Sequence, residues 1–299
     1  MAFVVIVITL LIVPLYLHAE GDVAEESSKT SLEDVNKGII SERSPIIGYQ
    51  PLTVAGQKID ATYLEEVLGK RYGAIILLHD MSDSIEDQGV VTPLRHALPQ
   101  YGWSTLTVAL DYPFEPVVLL SPTLEDVSEA KASNTEEKPS ETTDTQLMDK
   151  KEASPTLPPI SNLQRIEAAI AFLKAKNIDR IIVLGHGNGG NIAVGLFDKI
   201  TATIAGLILI GAPELADEDK KIFSGMQKPI LDLYGERDLA GVEQAVLQRK
   251  VIMKRGINNR YVMRKVTGAD HFFTGLTSTL VITIRGWLNV TFIEPKKQN

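Results

Sequence analysis

Two polar residues and one glycine-rich turn carry the chemistry that this sequence of 299 residues can perform. Asp238 follows the apolar stretch PILDLY, and His271 lies in the segment GADHFF, after another predicted strand. A carboxylate that orients an imidazole is the arrangement in which histidine acts as a general base. The turn is GHGNGG at residues 185–190, between the aliphatic run IIVL and the apolar run IAVGLF. A strand, a tight turn and a helix are therefore predicted there.

The glycine-rich turn fits two motifs that imply different functions. In the frame G-x-S-x-G, which presents a nucleophilic serine on a sharp turn, Gly187 stands where the serine belongs. In the frame G-x-G-x-x-G, Gly185, Gly187 and Gly190 match a dinucleotide-binding fingerprint. That fingerprint is accompanied by an acidic residue at the end of the next strand. Here the next strand ends in the sequence GAP, and Glu214 lies beyond the proline, so dinucleotide binding is only a minor alternative.

Short aliphatic runs alternate with helical patterns along the chain. Continuous runs such as AIILL at 74–78 and GLILI at 206–210 are typical of strands buried on both faces of a parallel sheet. Between 51 and 66, two further strands are expected around a turn at Gly56. Ser161 is a predicted N-cap, and apolar residues recur after it at helical spacing. The alternation predicts an α/β fold with one doubly wound, mostly parallel sheet, whose strand ends meet at one edge.

The chain order of these motifs resembles that of the α/β-hydrolase fold. A strand ending in His79-Asp80-Met81, the glycine turn, Asp238 and His271 follow the order of that fold's oxyanion loop, nucleophile turn, acid and histidine. The resemblance covers residues 51–292 apart from an insertion. More narrowly, His79-Asp80 after its strand and the segments LRHALPQYGWSTLTVAL and GHGNGG are similar to a bacterial α/β-hydrolase-like family of unknown function. Members of that family share the glycine at the nucleophile position.

The resemblance implies a role for each matching residue. Asp238 orients His271, and His271 is the general base that a serine at position 187 would need. Because Gly187 has no side chain, the acyl-enzyme route is closed and ordinary serine hydrolysis is not expected. Asn188 is not a useful nucleophile, so no substitute is predicted at the turn itself.

An oxyanion site is also implied by the resemblance. The backbone N–H of Asn188 and that of Met81, or of Asp80 in its place, would hold the oxyanion. His79 lies at a buried strand end where no catalytic role falls, so a structural role is favoured for its side chain. If only the nucleophile is missing, a Gly187→Ser variant is expected to hydrolyse esters.

Three classes of function remain open on these residues. The first is a catalytically silent protein that binds a small molecule or a partner, and loss of the nucleophile favours it. The second is a noncanonical hydrolase or lyase in which the His271–Asp238 pair activates water or a bound ligand as a general base. The third is a structural partner in the cell envelope. No cofactor and no metal are predicted.

The loop after His79 is acidic and contains Asp80, Asp83, Glu86 and Asp87. Its spacing lacks the glycine and the terminal glutamate of a calcium-binding loop, so a solvated loop is expected. His186 falls at a variable position of the nucleophile motif, and no role is predicted for it.

The amino-terminal segment predicts export. Residues 1–19 read as a signal peptide, because the stretch from Ala2 to Leu17 is apolar and Ala19 is a small residue at the expected cleavage site. The stretch is shorter than the roughly 20 residues of a bilayer span, so contact with a membrane is expected only if this segment stays uncleaved. A flexible acidic leader at 20–48 follows, and a bacterial periplasmic location is predicted.

The remaining composition bounds the domain and its partners. Residues 49–292 form the predicted α/β-hydrolase-like domain, interrupted by a low-complexity insertion at 114–160 that is too polar to fold and whose role as a lid stays open. A net charge of −8, with no basic stripe, argues against a nucleic-acid partner. The absence of cysteine excludes disulfides and thiol catalysis.

Overall fold

The computed structural model describes residues 46–112, 158–256 and 258–294. The predicted signal peptide, nearly all of the acidic leader and the predicted insertion up to residue 157 lie outside the described residues. The strands of the described part are β1 (Leu52–Val54), β2 (Gln57–Ile59), β3 (Ala61–Leu64), β4 (Gly73–Leu78), β5 (Trp103–Val108), β6 (Ile181–His186), β7 (Ile204–Ile210), β8 (Ile230–Arg237) and β9 (Tyr261–Asp270).

Seven of these strands form one sheet in the order β3-β5-β4-β6-β7-β8-β9. Strand β3 pairs antiparallel with β5, and every other neighbouring pair in this sheet is parallel. Strands β1 and β2 form a separate antiparallel hairpin. The predicted doubly wound, mostly parallel sheet is thus confirmed.

The helices alternate with the strands of the sheet. In the described ranges they are α1 (Val91–Ala97), α2 (Asn162–Ala175), α3 (Asn188–Gly195), α4 (Phe197–Ile200), α5 (Asp217–Gly225), α6 (Val242–Arg255) and α7 (Thr277–Leu288), with a 3₁₀ turn at Leu98–Tyr101 and a π-helical turn at Asn289–Ile293. Ser161 caps α2: its hydroxyl accepts from the N–H of Gln164, whose side chain accepts from the N–H of Ser161. None of these helices is both long and apolar enough to cross a membrane.

The core lies on both faces of the sheet. Strands β4, β5 and β6 are buried along their whole length. Because successive side chains of a strand point to opposite faces, each central strand contributes to two apolar layers. Helices α1 and α7 cover one face, while α2, α3 and α5 cover the other. Aliphatic runs without polar alternation are what this double burial requires.

The segment 51–66 contains three strands rather than the predicted two. Strand β2 ends at Ile59 and β3 begins at Ala61, with the exposed Asp60 between them. Strand β2 pairs with β1, whereas β3 pairs with β5 in the main sheet. The chain therefore breaks where it changes its pairing partner.

A buried ion pair holds the loop after β7 in place. The guanidinium of Arg249 on α6 donates to both carboxylate oxygens of Asp232 on β8, over 2.7 and 3.0 Å. The same guanidinium donates to the carbonyls of Ala212 and Pro213, and the hydroxyl of Tyr261 donates to Asp232. Both charges are thus compensated and hydrogen-bonded, as burial demands. The ion pair fixes the loop between β7 and α5 to α6, β8 and β9.

Candidate active site

Four loops bring the candidate residues together at the carboxyl edge of the sheet. Asp80 lies two residues past β4 and Gly187 one residue past β6. Asp238 follows β8 directly, and His271 follows β9 directly. Because the carboxyl ends of parallel strands lie at the same edge, residues that are far apart in sequence meet there.

Gly187 retains the backbone of a nucleophile turn although it has no side chain. Its φ is 51° and its ψ is −125°, a conformation that strains any residue with a Cβ. Its N–H donates to the carbonyl of Ile210 over 2.9 Å, which fixes the turn against β7. Helix α3 begins at the next residue, Asn188. The structure therefore has the strand, turn and helix that the glycine pattern predicts.

Close packing explains another glycine of the turn. A Cβ on Gly189 would lie 2.6 Å from the carbonyl oxygens of Leu78 and His79, so β4 and α3 could not approach as they do. A dinucleotide would place its pyrophosphate at the amino terminus of α3. That terminus instead faces a carboxylate of the chain itself, since the N–H of Asn188 donates to Asp80. The geometry gives no support to the dinucleotide hypothesis.

Asp238 and His271 form a buried hydrogen-bonded pair. The Nδ1 of His271 and the Oδ1 of Asp238 are 2.6 Å apart, and the two side chains are 5% and 3% exposed. The carboxylate of Asp238 is itself held by the backbone N–H groups of Gly235 and Leu239, at 3.0 and 2.8 Å. The acid therefore fixes the imidazole with its Nε2 directed toward the glycine turn.

The carboxylate of Asp80 occupies the space in front of that imidazole. Its Oδ1 accepts from the backbone N–H of Met81 at 2.8 Å and from that of Asn188 at 2.6 Å. The side-chain amide of Asn188 adds a third hydrogen bond, at 3.1 Å. Its Oδ2 lies 3.4 Å from the Nε2 of His271. The N–H groups of Met81 and Asn188, which the sequence analysis assigned to the oxyanion site, thus both donate to the Oδ1 of Asp80.

This carboxylate also occupies the place of a nucleophilic side chain. A Cβ built on Gly187 would overlap the Cγ and both oxygens of Asp80. The structure therefore differs from the sequence-based expectations in two respects. Asp80 contributes an acceptor to this site rather than a backbone donor, and Gly187→Ser alone cannot create a free serine, because Asp80 blocks it.

The close pairing changes the pKa values of all three groups. Burial lowers the pKa of His271, but the hydrogen bonds and charges of Asp238 and Asp80 outweigh it and raise that pKa to about 9. Burial raises the pKa of Asp80, but hydrogen bonds from His271, Asn188 and Met81 hold it well below its usual range. The pKa of Asp238 is lowered in the same way. At neutral pH the site is an imidazolium between two carboxylates.

His79 lies beside this site, with its ring turned to the sheet. Its Nδ1 donates to the carbonyl of Asp80 over 2.7 Å, and its Nε2 accepts from the N–H of Leu110 over 2.9 Å. With one ring nitrogen donating and the other accepting, the imidazole is neutral, and burial lowers its pKa. His79 thus ties the loop after β4 to the end of β5 and does not face the reacting groups.

Sequence reasoning missed two features of this site. It assigned Asp80 by its backbone, because the oxyanion loop of the resembling fold acts through backbone amides. The available signal was an acidic residue two positions after a buried strand, in a chain whose nucleophile turn has no nucleophile. It also gave no role to His186, whose buried ring lies 4.5 Å from that of His271, centroid to centroid.

Comparison with solved structures identifies the fold. An α/β serine hydrolase homologue from Coxiella burnetii aligns with a TM-score of 0.55 at 15% identity, covering 80% of this chain and 95% of that chain. An α/β serine hydrolase without a lid, from Xanthomonas campestris, aligns with a TM-score of 0.55 at 13% identity over 85% and 99% of the chains. Est1E from Butyrivibrio proteoclasticus with bound ferulic acid gives 0.56 at 14% identity over 81% and 98%. The protein has the α/β-hydrolase fold.

The family follows from the sequence. The chain belongs to DUF3530, a family of proteins of unknown function, whose profile matches residues 1–290. Curated protein sequences give no match to the chain. The fold and the family are thus established, and the chemistry has to be inferred from the site.

The raised pKa of His271 predicts a pH-dependent stability. A histidine with a raised pKa in the folded state contributes stability that is complete below its unfolded value of 6.5 and is lost as the pH rises through about 9. The free energy of unfolding should therefore fall between these pH values, by on the order of 3 kcal/mol at about 1.4 kcal/mol per pKa unit. Urea denaturation across this range should show the fall, and His271→Gln should flatten it.

Nuclear magnetic resonance provides the site-specific control. The imidazole of His271 should titrate near pH 9, whereas that of His79 should titrate below 6.5, because burial lowers its pKa. Titration of His271 near 6.5 would show that the two carboxylates do not pair with it.

Proposed function

We propose that this protein is an exported α/β-hydrolase-fold protein that does not run the serine mechanism and instead binds a small molecule or an envelope partner. The observation that carries this proposal is the carboxylate of Asp80, which fills both the nucleophile position and the oxyanion position. Export rests on the predicted signal peptide at 1–19, which a cell-fractionation experiment checks directly.

Three requirements of serine hydrolysis are unmet at this site. The nucleophile is missing at Gly187, and the amides of Met81 and Asn188 already bind an anion. His271 carries a proton at neutral pH, so it cannot accept one from a nucleophile. Removing the nucleophile alone costs several orders of magnitude in rate. Filling the oxyanion position adds to that loss, because a donor there contributes about 100-fold or more.

The rim of the site supports binding of a ligand with an apolar part. Met81, next to Asp80, is 56% exposed, and Phe272, next to His271, is 40% exposed. Small-molecule sites are lined mostly by apolar and aromatic side chains, with a few polar groups that orient the ligand. The charges of the cluster, two carboxylates and one imidazolium, favour a hydrogen-bond donor or a cation in the part of the ligand that enters it.

A double substitution tests whether Asp80 silences the site. Gly187→Ser alone should give no ester hydrolysis, because Asp80 blocks the hydroxyl and keeps His271 protonated. Asp80→Gly with Gly187→Ser should free the amides, lower the pKa of His271 and yield hydrolysis of p-nitrophenyl acetate. The rate is measured by release of p-nitrophenolate, and adding His271→Ala should abolish it.

The matched control is Glu86→Gly with Gly187→Ser, which removes a carboxylate of the same loop and leaves Asp80 in place. It should be as inactive as Gly187→Ser. If Gly187→Ser alone hydrolyses p-nitrophenyl acetate as fast as the Asp80 double variant does, Asp80 does not block the site. If the wild type hydrolyses esters, thioesters or lactones faster than His271→Ala does, the protein is an enzyme and not a silent binder.

One specific observation favours a second candidate function. The Oδ1 of Asp80 is held by two backbone amides while its Oδ2 faces the Nε2 of His271 at 3.4 Å, so the carboxylate is placed as a nucleophile as well as a block. Attack of Oδ2 on an epoxide carbon would form an ester and break the C–O bond of the ring, and His271 would protonate the alkoxide, which stays on the same chain. Attack on an alkyl halide would form the ester and release the halide, after which His271 gives its proton to solvent. Asp80 would then be uncharged, and the pKa of His271 would fall because one carboxylate partner is lost.

The cycle would close by hydrolysis of that ester. His271, oriented by Asp238, takes a proton from water, which attacks the Cγ of Asp80. The developing charge on Oδ1 is stabilised by the amides of Met81 and Asn188. The alkyl–oxygen fragment then leaves as an alcohol with a proton from His271, and the acid of Asp80 returns its proton to His271, which restores the carboxylate and the imidazolium. This second candidate is the noncanonical hydrolase in which the His271–Asp238 pair acts as a general base, with Asp80 added as the nucleophile.

Covalent labelling tests this second candidate. With His271→Gln the ester from an alkyl halide would form but not hydrolyse, because the halide leaves without a proton from His271, so incubation with 1-bromohexane should add one hexyl group to the peptide that contains Asp80. Mass spectrometry detects the adduct, and Asp80→Asn is the matched negative control. An unmodified peptide, together with no turnover by the wild type, excludes the covalent route and leaves the binding function.

A further inference from the structure

A second cluster of polar side chains lies beside the candidate active site. Asp83 and Asp87 belong to the loop between β4 and α1, and His186 is the last residue of β6. One ligand atom from each of the three residues lies within 4.8 Å of the other two. The cluster therefore joins the loop that carries Asp80 to the strand that carries Gly187.

A contact of His186 places a hydrogen on one of its ring nitrogens. Its Nε2 lies 3.1 Å from the backbone carbonyl of His271, which can only accept, so Nε2 carries the hydrogen. When the ring is neutral, its Nδ1 therefore presents a lone pair. This nitrogen faces the Oδ2 of Asp83 at 3.6 Å, which is too long for a hydrogen bond. Two acceptors thus face each other across a gap.

Both facing atoms lack a hydrogen-bond partner within the described part of the chain. The Nδ1 of His186 and the Oδ2 of Asp83 are buried and unpaired there. The side chain of His186 is 0% exposed and that of Asp83 is 13% exposed. Leaving buried polar atoms unpaired is unfavourable, because they lose their hydrogen bonds to water and gain none in return. A cation between them would satisfy both.

The separation of the two atoms suits a shared cation. Nitrogen and oxygen ligands bind Zn²⁺ at about 2.0–2.2 Å, so two neighbouring ligands of one ion lie about 3.0–3.5 Å apart. The 3.6 Å between His186 and Asp83 is close to this value. The hydrogen bond from the Nε2 of His186 to a carbonyl is also the contact that usually orients a metal-binding histidine.

Asp87 is held in a fixed position as the third ligand. Its carboxylate accepts from the N–H groups of Gly89, Val90 and Val91, at 2.8, 3.0 and 3.1 Å. Oδ1 accepts from Gly89, whereas Oδ2 accepts from both Val90 and Val91, so Oδ1 is the oxygen that keeps a lone pair for a metal. These amides therefore orient Asp87 as an outer shell orients a ligand.

We propose that His186, Asp83 and Asp87 bind one divalent transition-metal ion, such as Zn²⁺ or Mn²⁺. One imidazole and two carboxylates suit these ions, whereas Ca²⁺ and Mg²⁺ take oxygen ligands. The metal ties the loop of Asp80 to the end of β6 and leaves positions for water on its exposed side. The site does not depend on whether Asp80 silences hydrolase chemistry.

Metal titration of the full chain without a histidine tag tests this site. After dialysis against EDTA, the protein should bind one equivalent of Zn²⁺ or Mn²⁺ by isothermal titration calorimetry at pH 7, with a rise in Tm. His186→Gln and Asp83→Asn should each weaken binding by about 100-fold or more, since even outer-shell changes cost about 10- to 100-fold. Glu86→Gln removes a charge from the same loop and should bind as the wild type does.

Several results would overturn the proposal. The first is that the protein binds neither ion. The second is that Glu86→Gln weakens metal binding as much as His186→Gln and Asp83→Asn do. The third is that Ca²⁺ binds as tightly as Zn²⁺, which would show that the loop attracts cations without selecting a transition metal. Circular dichroism checks that each variant folds. If His186→Gln does not fold, Asp83→Asn decides, because Asp83 lies at the edge of the site. In nuclear magnetic resonance spectra, saturating the protein with Zn²⁺ should shift the Nδ1 resonance of His186 and leave its Nε2 resonance in place. If neither resonance shifts, His186 is not a ligand.

Discussion

The carboxylate of Asp80, bound by the backbone amides of Met81 and Asn188, is the interaction on which the rest of the site depends. The amino terminus of α3 favours an anion electrostatically, and hydrogen bonds to a charged acceptor are stronger than neutral ones. An active hydrolase of this fold keeps such amides free for the oxyanion of the reaction. Here the chain supplies its own anion, which adds to the rise that Asp238 causes in the pKa of His271 and leaves no room for a Cβ at position 187.

The positions of the main elements could be predicted from the sequence for simple physical reasons. Aliphatic runs such as AIILL specify strands buried on both faces, and the glycines at 185–190 specify a tight turn between β6 and α3. Since the strands are parallel, their loops had to meet at one edge, which brings Asp238 and His271 together. None of these inferences needs the direction of an individual side chain.

The parts that could not be predicted are those that depend on side-chain direction. Whether Asp80 points at the amides of its own loop or at solvent is set by one rotamer, and the pattern HDM is the same in both cases. His186 was assigned to a variable motif position, yet its ring is buried against His271. Its relation to Asp83 arises only when the loop after β4 folds over the end of β6. The break between β2 and β3 was missed because two short strands in succession look like one.

The loop after β4 contributes side chains to both the candidate active site and the proposed metal site, so the two sites are structurally coupled. Asp80, Asp83 and Asp87 follow β4 in one segment, and the N–H of Asp83 donates to the carbonyl of Asp80 over 3.1 Å. A contact that fixes Asp83 or Asp87 therefore also limits where Asp80 can go. The chain has the hydrolase fold, and the acidic loop after β4 determines whether a ligand can reach the oxyanion amides and His271.

The most direct measurement is of the amide protons of Met81 and Asn188 by ¹H–¹⁵N correlation spectroscopy at pH 7. If a charged carboxylate accepts from both, their resonances lie downfield in the wild type and both move upfield in Asp80→Ala. Unchanged resonances in Asp80→Ala would show that the carboxylate does not occupy the oxyanion position, which would contradict the central claim.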